Sequence, residues 1–577
     1  MDNTLERRIA VARGDEPADL VLRGGRLVNV FDGTLEEADV AIVDGHVAGI
    51  GRQYRGHAEM DVSGCVLCPG LIDAHMHVES SQVTVPEFAR AVVPRGTTAA
   101  ILDPHEIANV HGLEGIRYIL ESRAGVPMSI FVMASSCVPA THMETAGAEL
   151  RAEDLEPLFD EPGVLGLAEM MNFPGVIAGD PHVMAKLAIS HSRGVPVDGH
   201  CPGLGGKALN AYAAAGIGSD HESTRADEAA EKLRRGLYVF IREGSSARNL
   251  EALLPIVTPQ NSRRCCWATD DRHPGDLLRE GHVDHLVRKA IGLGLDPITA
   301  IRMGTLNPAE WFGLDRLGYG AIAPGWRADI VVLEDLPSFA VRDVLVAGRV
   351  VARQGRLIVD VPRPPATLPP SVHINWQAFA GFQVPVPEGR THVRAIVALE
   401  GQIVTEEQVV PARVQDGLAV ADPARDLLKL AVVERHRGTG NVGVGFVTGF
   451  GLRRGALASS VAHDSHNIIV VGTNDEDMLL AVREIERLRG GQVAVADGRV
   501  LAALPLPIAG LMSDRSLEEV ARADEAIHVV ARALGCRLSS PYMTLSFLAL
   551  PVIPKLKLTD KGLVDVERFE LVEIWAE

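Results

Sequence analysis

Eight short apolar runs, separated by segments of helical periodicity, occupy much of the first half of this 577-residue chain. The runs lie at residues 65–78, 98–104, 129–139, 163–170, 195–200, 216–222, 238–244 and 264–271. This alternation is typical of a parallel sheet with crossover helices. Eight repeats within about 250 residues match the size of a closed barrel of eight strand–helix units. We therefore predict an α/β chain built on a (β/α)8 TIM-type barrel.

β-type sequence on both sides of these runs predicts a second, smaller domain. Residues 19–50, 328–336 and 341–355 are short β-type segments with glycine turns. Because the barrel runs separate them along the chain, we expect residues 1–67 and 321–360 to form one small β-sandwich. The barrel, residues 68–320, would be inserted in it.

A proline-rich stretch at 360–370 predicts a linker to a third domain. After it, residues 475–490 and 516–535 have helical periodicity, and residues 427–436 and 466–472 resemble strands. We expect residues 371–577 to form a C-terminal α+β domain.

The charge distribution excludes some classes of partner. The net charge is −19, and no block of basic residues stands out, whereas a protein that binds nucleic acid or anionic membranes carries a concentrated basic patch. The first 15 residues are charged where a signal peptide needs an apolar core. The seven cysteines are scattered and do not suggest a disulfide framework. We expect a cytoplasmic protein.

Residues that bind metal or transfer protons stand at the C-terminal edge of most of the eight runs. They are His75, His77, Asp103, His105, Glu106, Glu169, His200, Asp220, His221, Asp270 and Asp271. The ends of barrel strands converge at one face, where active sites of such barrels lie. Many buried ionisable groups need compensation, which divalent metal commonly provides. The runs therefore predict a metal centre at this face.

The His75-x-His77 pair fits this prediction geometrically. Residues two apart on a strand point to the same side and can hold one ion. A single pair of this kind is more often incidental, so the prediction depends on the joint occurrence at successive strand ends. Imidazole and carboxylate ligands without clustered thiolates suit zinc, manganese or iron. Glu169 would bridge two ions, and Asp270 would complete the shell of one ion and touch its bound water.

Motifs along nearly the whole chain resemble the amidohydrolase superfamily and, within it, the bacterial adenine deaminases. They include PGLIDAHMHVESS (69–81), GTTAAILDPHEIANVHG (96–112), GLAEMMNFPGVI (166–177), VDGHCPGLGGKALNAY (197–212), GIGSDHEST (216–224), WATDDRHPGDLLREGHVD (267–284), SVAHDSHNIIVVGTN (460–474), PIAGLMSD (507–514) and PYMTLSFLALPVIPKLKLTDKG (541–562). The resemblance implies deamination of adenine to hypoxanthine and ammonia by a metal-activated hydroxide, a reaction of purine salvage. It implies a pair of divalent ions, manganese or iron first and zinc as an option. The implied ligands are His75, His77, Glu169, His200, His221 and Asp270, with Glu169 where many amidohydrolases have a carboxylated lysine.

Further site residues are expected around these ligands. Asp270 would take the proton from the attacking hydroxide and deliver it towards the ring or the departing amine. Glu79 and His105 are further catalytic candidates, and Glu106, Asp271 and Arg272 are candidates for binding the substrate. Glu79, His105, Glu106 and Asp271 are equally suited to supporting a ligand. The expected partner is the small-molecule purine adenine, and we expect a homo-oligomer, a dimer in the simplest case.

Two other functions remain open on the sequence. A related amidohydrolase that acts on another purine or a cyclic amide would have the same ligands. A non-catalytic relative that uses the barrel as a scaffold would have lost several ligands, and this chain keeps all six.

Three other motifs are given structural interpretations. Cys65 and Cys68 are interpreted as small core residues, and residues 438–443 as a hairpin turn, because the glycine-rich segment does not precede a helix. For residues 463–466, HDSH, two interpretations stand: a lid that reaches the barrel mouth, or a local hydrogen-bond network. We favour the network.

Overall fold

Both flanks of the barrel contribute strands to one sheet. The computed structural model describes residues 3–362 and 368–576. Within these ranges the sheet has nine strands: β1 (Ala18–Asn29), β2 (Thr34–Val43), β3 (His46–Gly51), β4 (Gly56–Asp61), β5 (Val66–Pro69), β14 (Ile330–Leu333), β15 (Val341–Val346), β16 (Arg349–Arg353) and β17 (Arg356–Leu357). β5 pairs with β1 on one side and with β14 on the other. This junction joins the strands before the barrel to those after it. Much of the predicted linker falls on residues 363–367, which lie outside the described residues.

The first predicted run, 65–78, is two strands rather than one. Its first part is β5, and its second part, β6 (Leu71–Met76), begins the barrel. Gly70 stands between them, and a Cβ atom there would lie 2.0 Å from Thr98 Oγ1. The chain can therefore pass from one sheet to the other at this point only because residue 70 lacks a side chain.

Eight parallel strands form the barrel within the described range 71–268. They are β6 (Leu71–Met76), β7 (Thr97–Leu102), β8 (Ser129–Ala134), β9 (Val164–Met170), β10 (Val197–Gly199), β11 (Ser219–Asp220), β12 (Tyr238–Arg242) and β13 (Cys265–Ala268). Consecutive strands are hydrogen-bonded to one another from β6 through β10 and again from β11 through β13. A bond from Gly218 N–H to Val197 O (3.1 Å) connects the two groups, and a parallel bridge between Met76 and Asp270 closes the ring. The predicted (β/α)8 barrel is confirmed, with one strand for each of the eight runs.

The helices follow the strands as expected for this fold. α1 (Asn3–Arg13) precedes the first sheet, and the barrel helices are α2 (Val85–Val92), α3 (His105–His111), α4 (Leu113–Ser122), α5 (Ala152–Leu155), α6 (Phe173–Ala178), α7 (Pro181–Arg193), α8 (Gly206–Ala214), α9 (Ala226–Arg234), α10 (Leu250–Leu253), α11 (Pro274–Arg279), α12 (Val283–Gly292), α13 (Pro297–Met303) and α14 (Leu306–Phe312). None of the helices in the described ranges is both long enough and apolar enough to cross a bilayer.

Alternate residues of the barrel strands fill its interior. Ile72, Ala74, Ile101 and Phe240 belong to one buried cluster, which Phe312 of α14 joins. The residues between them face the surrounding helices, as expected for a strand with a side-chain period of two. Packing therefore fills the barrel interior and leaves the C-terminal strand ends for polar groups.

The C-terminal segment forms an eight-stranded sheet with three helices, counted over the described residues 368–576. The sheet contains β18 (His392–Ala398), β19 (Thr405–Pro411), β22 (Leu428–Val433), β23 (Val442–Thr448), β24 (Ala456–Ser459), β25 (Ile468–Gly472), β26 (Gly491–Ala496) and β27 (Arg499–Pro505). The remaining strands are β20 (Arg413–Gln415), β21 (Leu418–Val420), β28 (Leu556–Thr559), β29 (Gly562–Asp565) and β30 (Glu570–Val572), and the helices are α15 (Asp475–Leu488), α16 (Leu517–Ala533) and α17 (Pro541–Phe547). β22 and β23 are antiparallel neighbours, so residues 438–443 form the predicted hairpin connection.

This C-terminal sheet and its helices, called here the C-terminal unit, dock on the loops around the barrel mouth. Ser513 N–H donates to Gln82 O (2.8 Å), and Thr145 N–H donates to Asp560 Oδ1 (2.8 Å). One buried hydrophobic cluster contains residues of both the barrel and the C-terminal unit. The C-terminal unit therefore covers the face at which the barrel strands end.

Substitutions of Trp267 measure how much the packing between the barrel strands and the surrounding helices stabilises the fold. It is fully buried on β13 among residues of α12 and α13, and its Nε1–H donates to Ala300 O (2.7 Å). We expect Trp267→Ala to lower stability by about 3–5 kcal/mol, because it leaves a large cavity. Trp267→Phe, which removes the hydrogen bond and less volume, should cost about 1–2 kcal/mol. Urea unfolding followed by circular dichroism measures both.

The control for this prediction is Leu317→Ala, since Leu317 is 60% exposed. It should change stability by less than about 0.5 kcal/mol. An equal loss in Trp267→Ala and Leu317→Ala would contradict the packing argument.

Candidate metal centre and active site

Two irregularities in the barrel ladders turn the central ligands into the barrel mouth. Ile72 and Ala74 face the interior, so strict alternation would turn His75 away from it. The register of β6 against β7 shifts between Asp73 and Met76. Met76 does not continue the interior row but packs in the hydrophobic cluster outside the barrel, which also contains residues of the C-terminal unit. His75 and His77 therefore face inwards.

The second irregularity lies on β9. Leu167 pairs with Val197 and Met170 with Gly199, so three steps on β9 match two on β10. An extra residue of this kind is a β-bulge, which redirects a side chain. Ala168 packs in the interior, and the adjacent Glu169 also reaches the mouth.

The Glu169 carboxylate lies at the centre of the histidines. Its Oε1 is 3.4 Å from His77 Nε2, and its Oε2 is 3.2 Å from His221 Nε2 and 2.7 Å from His200 Nδ1. The two oxygens thus face different histidines, which suits a carboxylate that bridges two ions. His75 stacks on His221 with ring centroids 4.0 Å apart.

Asp270 closes the other side of the cluster. Its Oδ1 lies 3.4 Å from His75 Nε2 and 3.2 Å from His77 Nε2. Its backbone has a φ of 56°, a left-handed conformation that aspartate tolerates better than most residues. Asp270 N–H donates to His75 O (3.0 Å), so the same hydrogen bond that closes the barrel fixes this carboxylate beside the histidines.

The donor set fits a divalent metal. Ligand atoms of His75, His77 and Asp270 lie within 4.8 Å of one another, as do those of His75, Glu169 and His221. Separations of 3.2–3.4 Å match the roughly 3.0–3.4 Å between neighbouring ligands at metal–ligand distances of about 2.1 Å. His200 Nε2 and His221 Nδ1 are buried without a hydrogen-bond partner among the described residues. A buried set of this kind needs a cation to satisfy it.

Arg242, at the end of β12, controls the charge of Asp270. Its NH1 donates to Asp270 Oδ2 (2.8 Å), and its guanidinium also pairs with both oxygens of Glu222. Burial alone would raise the pKa of Asp270, but the charge of Arg242 and hydrogen bonds from His75 and His77 outweigh it and hold that pKa well below its usual range. Asp270 is therefore an ionised carboxylate.

Groups behind the ligands hold them in place. Asp103 O lies 2.9 Å from His77 Nδ1, and Tyr212 OH accepts from His200 N–H at 2.9 Å. Asp220 is turned away from the cluster, because its Oδ2 accepts from the buried Lys232 at 2.9 Å. The contact with Asp103 O orients the His77 ring, as ligand supports commonly do, and the contact with Tyr212 OH fixes the backbone of His200.

His105, Glu106 and Asp271 lie beside the cluster and line the same cavity. His105 Nδ1 is 3.2 Å from Asp103 Oδ2 and 3.4 Å from Glu169 Oε1. Ser80 Oγ lies 2.5 Å from Asp271 Oδ1 and 3.2 Å from Glu106 Oε1, which joins the two carboxylates. The cavity therefore has a polar wall next to the predicted ligands.

Glu79 lies apart from the predicted metal ligands. Glu79 lies in a single-turn 3-10 helix at Val78–Ser81, so its side chain does not continue the strand that carries the histidines. It lines a separate small cavity, and its Oε1 accepts from Ile107 N–H. Burial and the charge of Glu106 raise the pKa of Glu79 to about 8. Glu79 therefore does not line the cavity that the ligand cluster faces.

Arg272 also lies outside this cavity. Its guanidinium points away from the cavity and donates to Gly281 O (2.8 Å), Glu243 O (2.9 Å) and Glu280 Oε2 (2.7 Å). These contacts occupy the side chain, so we do not retain it as a substrate contact.

Four further polar residues line the cavity: Glu222, Arg242, His463 and Asp464. Glu222 and Arg242 are not among the residues predicted from the sequence. Arg242 and Glu222 stand at run ends like the predicted ligands, so the same rule would have found them. His463 Nδ1 lies 3.4 Å from Glu106 Oε1, and His105 Nε2 lies 3.7 Å from Asp464 Oδ1. His463 and Asp464 therefore reach the barrel mouth, as in the interpretation that we did not favour. Local hydrogen bonds, such as that from Ala462 N–H to His466 Nδ1 (3.2 Å), are also present in this segment.

The barrel and its ligand cluster define a metal-dependent hydrolase of the amidohydrolase type. A family model for amidohydrolases matches residues 66–351, and a model for the adenine deaminase C-terminal domain matches residues 402–570. The chain is 51% identical over 571 residues to an adenine deaminase of Desulfatibacillum aliphaticivorans, covering 98% of this chain and 99% of the relative. Adenine deaminases of Dehalococcoides mccartyi (49%, 99% of each chain) and Nitratidesulfovibrio vulgaris (50%, 98% of each chain) are similarly close. The chain belongs to the adenine deaminase family.

Arg242 gives a test of the site electrostatics. We expect Arg242→Met to lower kcat by about 10- to 100-fold, because Asp270 and Glu222 lose their buried cation and the orientation it imposes. Arg327→Met is the control, since Arg327 forms an ion pair with Asp329 just before β14, away from the cavity. Steady-state kinetics and bound-metal analysis of both variants measure the effect. A wild-type kcat in Arg242→Met would show that this guanidinium has no role in the site.

Proposed function

We propose that this protein hydrolyses adenine to hypoxanthine and ammonia, a step of purine salvage. The name of its relatives, adenine deaminase, describes the same deamination. The observation that carries the proposal is that the predicted ligands, from separate strands, meet in one buried cluster. The likeness to adenine deaminases over 98–99% of the chain supports the choice of substrate.

We infer that two divalent ions bind in the cluster, with His75, His77, Glu169, His200, His221 and Asp270 as ligands. Glu169 is suited to bridge them, because its two oxygens face different histidines. Manganese or iron fits the histidine and carboxylate donors best, and zinc is an alternative. A bound divalent metal supplies a water activated for nucleophilic attack at neutral pH.

Asp270 is the proposed proton carrier of the reaction. In the hydrolysis an oxygen–carbon bond forms at C6 of adenine, the bond from C6 to the amine breaks, and the amine leaves as ammonia. Asp270 accepts a proton from the attacking water and returns it towards the ring or the leaving amine. The ion pair with Arg242 keeps Asp270 ionised before the reaction, so it is ready to accept.

His105 is a second candidate for proton transfer, and Glu106 and Asp271 are proposed to hold the purine. His105 lies between the barrel ligand Glu169 and Asp464 of the C-terminal unit. Ser80 keeps the carboxylates of Glu106 and Asp271 together on one wall. A purine offers ring nitrogens and an amine along its edge, which such a wall can bind.

The activity is tested by incubating manganese- or iron-loaded protein with adenine, adenosine and guanine and measuring released ammonia. Adenine should be the preferred substrate. Asp270→Asn should lower kcat by about 10²- to 10⁴-fold, because the amide cannot accept the proton. Asp343→Asn, which changes a buried, ion-paired carboxylate of the nine-stranded sheet, should retain activity. Turnover of adenosine or another cyclic compound without turnover of adenine would favour the related amidohydrolase activity instead.

The metal proposal is tested on the protein without substrate. Purified protein should contain about two divalent ions per chain, and His77→Ala should lose at least one, since this imidazole lies near both Glu169 and Asp270. His142→Ala should retain them, because His142 is not among the clustered donors. Elemental analysis after dialysis measures the content, and equal content in the wild type and His77→Ala would refute the assignment.

A further inference from the structure

We propose that the C-terminal unit completes the substrate pocket: Asp464 and His463 bind the edge of the purine's five-membered ring, and Phe547 covers one of its faces. This inference rests on the proposed function, because it assigns the recognition of the same substrate. It gives the C-terminal unit a direct role in substrate selection.

The cavity lies between the barrel and the C-terminal unit. The metal-ligand cluster forms one side, and Ile403, Phe547, Leu550 and Ile553 from the C-terminal unit also line it. Phe547, Leu550 and Ile553 belong to one buried apolar cluster, against which Ile403 packs. A flat heterocycle binds well against such a surface, because its faces are apolar and its polar atoms lie along its edge.

Polar atoms without partners lie on the wall between these two sides. Glu106 Oε2, His463 Nε2 and Asp464 Oδ2 are buried and have no hydrogen-bond partner among the described residues. Their side chains are nearly inaccessible, with His463 3% and Asp464 2% exposed. Buried polar atoms are normally satisfied, so these are candidates for contacts with a bound molecule.

Helix α17 fixes the direction of His463. The imidazole stacks on Phe547 with ring centroids 4.6 Å apart and an interplanar angle of 15°. The backbone N–H of His463 donates to Ser546 Oγ (3.2 Å), so neighbouring residues of one helix hold both the ring and its backbone. Asp464 Oδ1 lies 3.6 Å from His463 Nδ1 and 3.7 Å from His105 Nε2. The pair is therefore held as one unit against the barrel.

The chemistry of this pair selects a free base. When C6 of adenine faces the metal cluster, its five-membered ring must be bound by other groups. An unsubstituted ring has an N–H, which a carboxylate such as Asp464 accepts, and a bare ring nitrogen, to which His463 donates. A nucleoside has a sugar in place of that N–H, so it loses the hydrogen bond and adds bulk. Sites built around such a hydrogen bond reject analogues that lack it.

The same groups allow one competing assignment. Glu106, His463 and His466 offer ligand atoms within 4.8 Å of one another, which would also suit a metal ion. We favour the purine because the apolar surface of Ile403, Phe547 and Leu550 adjoins the polar wall in the same cavity. A third ion per chain that disappears in His463→Ala would overturn the proposal.

The experiment compares the binding of hypoxanthine and 9-methylhypoxanthine to the metal-loaded, full-length protein by calorimetry. The methyl group removes the N–H at the position that carries the sugar in a nucleoside. Wild type should bind hypoxanthine at least about 10-fold more tightly than the methylated base. Asp464→Asn should weaken hypoxanthine binding by about 10- to 100-fold and leave the methylated base nearly unchanged, so that the discrimination is lost.

Two further variants distinguish binding at the edge of the purine ring from binding at its face. Phe547→Leu keeps an apolar side chain but removes the stacked ring, so it should weaken both ligands by a similar, several-fold factor. Asp477→Asn makes the same chemical change as Asp464→Asn at another buried carboxylate of the C-terminal unit, outside the cavity, and should retain full discrimination. The comparison of the two bases on the wild-type protein does not depend on the folding of any variant.

Ammonia release from adenine by wild type is measured alongside. If wild type releases ammonia but Asp464→Asn keeps its discrimination, or if wild type binds both bases equally, this recognition proposal is wrong and the proposed function stands. If wild type neither binds hypoxanthine nor releases ammonia, both proposals fail.

Discussion

The site depends on one buried carboxylate that several barrel strands share. Glu169 contacts His77 from the first barrel strand, and His200 and His221 from beyond the fifth and sixth. Isolated, such a charge would be costly to bury. Here the Glu169 carboxylate is surrounded by imidazoles and suited to bind divalent metal, so it connects residues from several strand ends. The barrel supplies the rigid positions, and the bulge on β9 supplies the direction of this side chain.

The C-terminal unit makes the barrel mouth into an enclosed site. Its docking contacts run from Gln82 to Ser513 and from Thr145 to Asp560, on loops that follow different barrel strands. His463 and Asp464 enter the cavity from this unit and meet Glu106 and His105. Enclosure excludes water and strengthens the electrostatic interactions of the charged groups inside. The candidate metal centre of the barrel and the proposed recognition surface of the C-terminal unit are thus parts of one cavity.

Much of the fold could be predicted because apolar periodicity is a local property. Each of the eight runs contains a barrel strand, and the helices predicted at 475–490 and 516–535 correspond to α15 and α16. Local patterns do not show where neighbours along the chain take different directions. Arg272 follows Asp271 directly, yet only Asp271 lines the cavity. Glu79 is two residues from His77, but a turn separates it from the strand.

By itself, the sequence determined the parallel barrel, the strand ends that carry the candidate ligands and a donor set suited to divalent metal, because these follow from spacing and residue type. The tertiary structure decided which way the side chains point. Register shifts on β6 and β9 turn His75, His77 and Glu169 inwards, and such shifts depend on pairing with a neighbouring strand rather than on local sequence. It also decided that residues 463–464, far along the chain, lie beside residues 105–106. Contacts between distant segments depend on how whole units pack, and no local pattern records them.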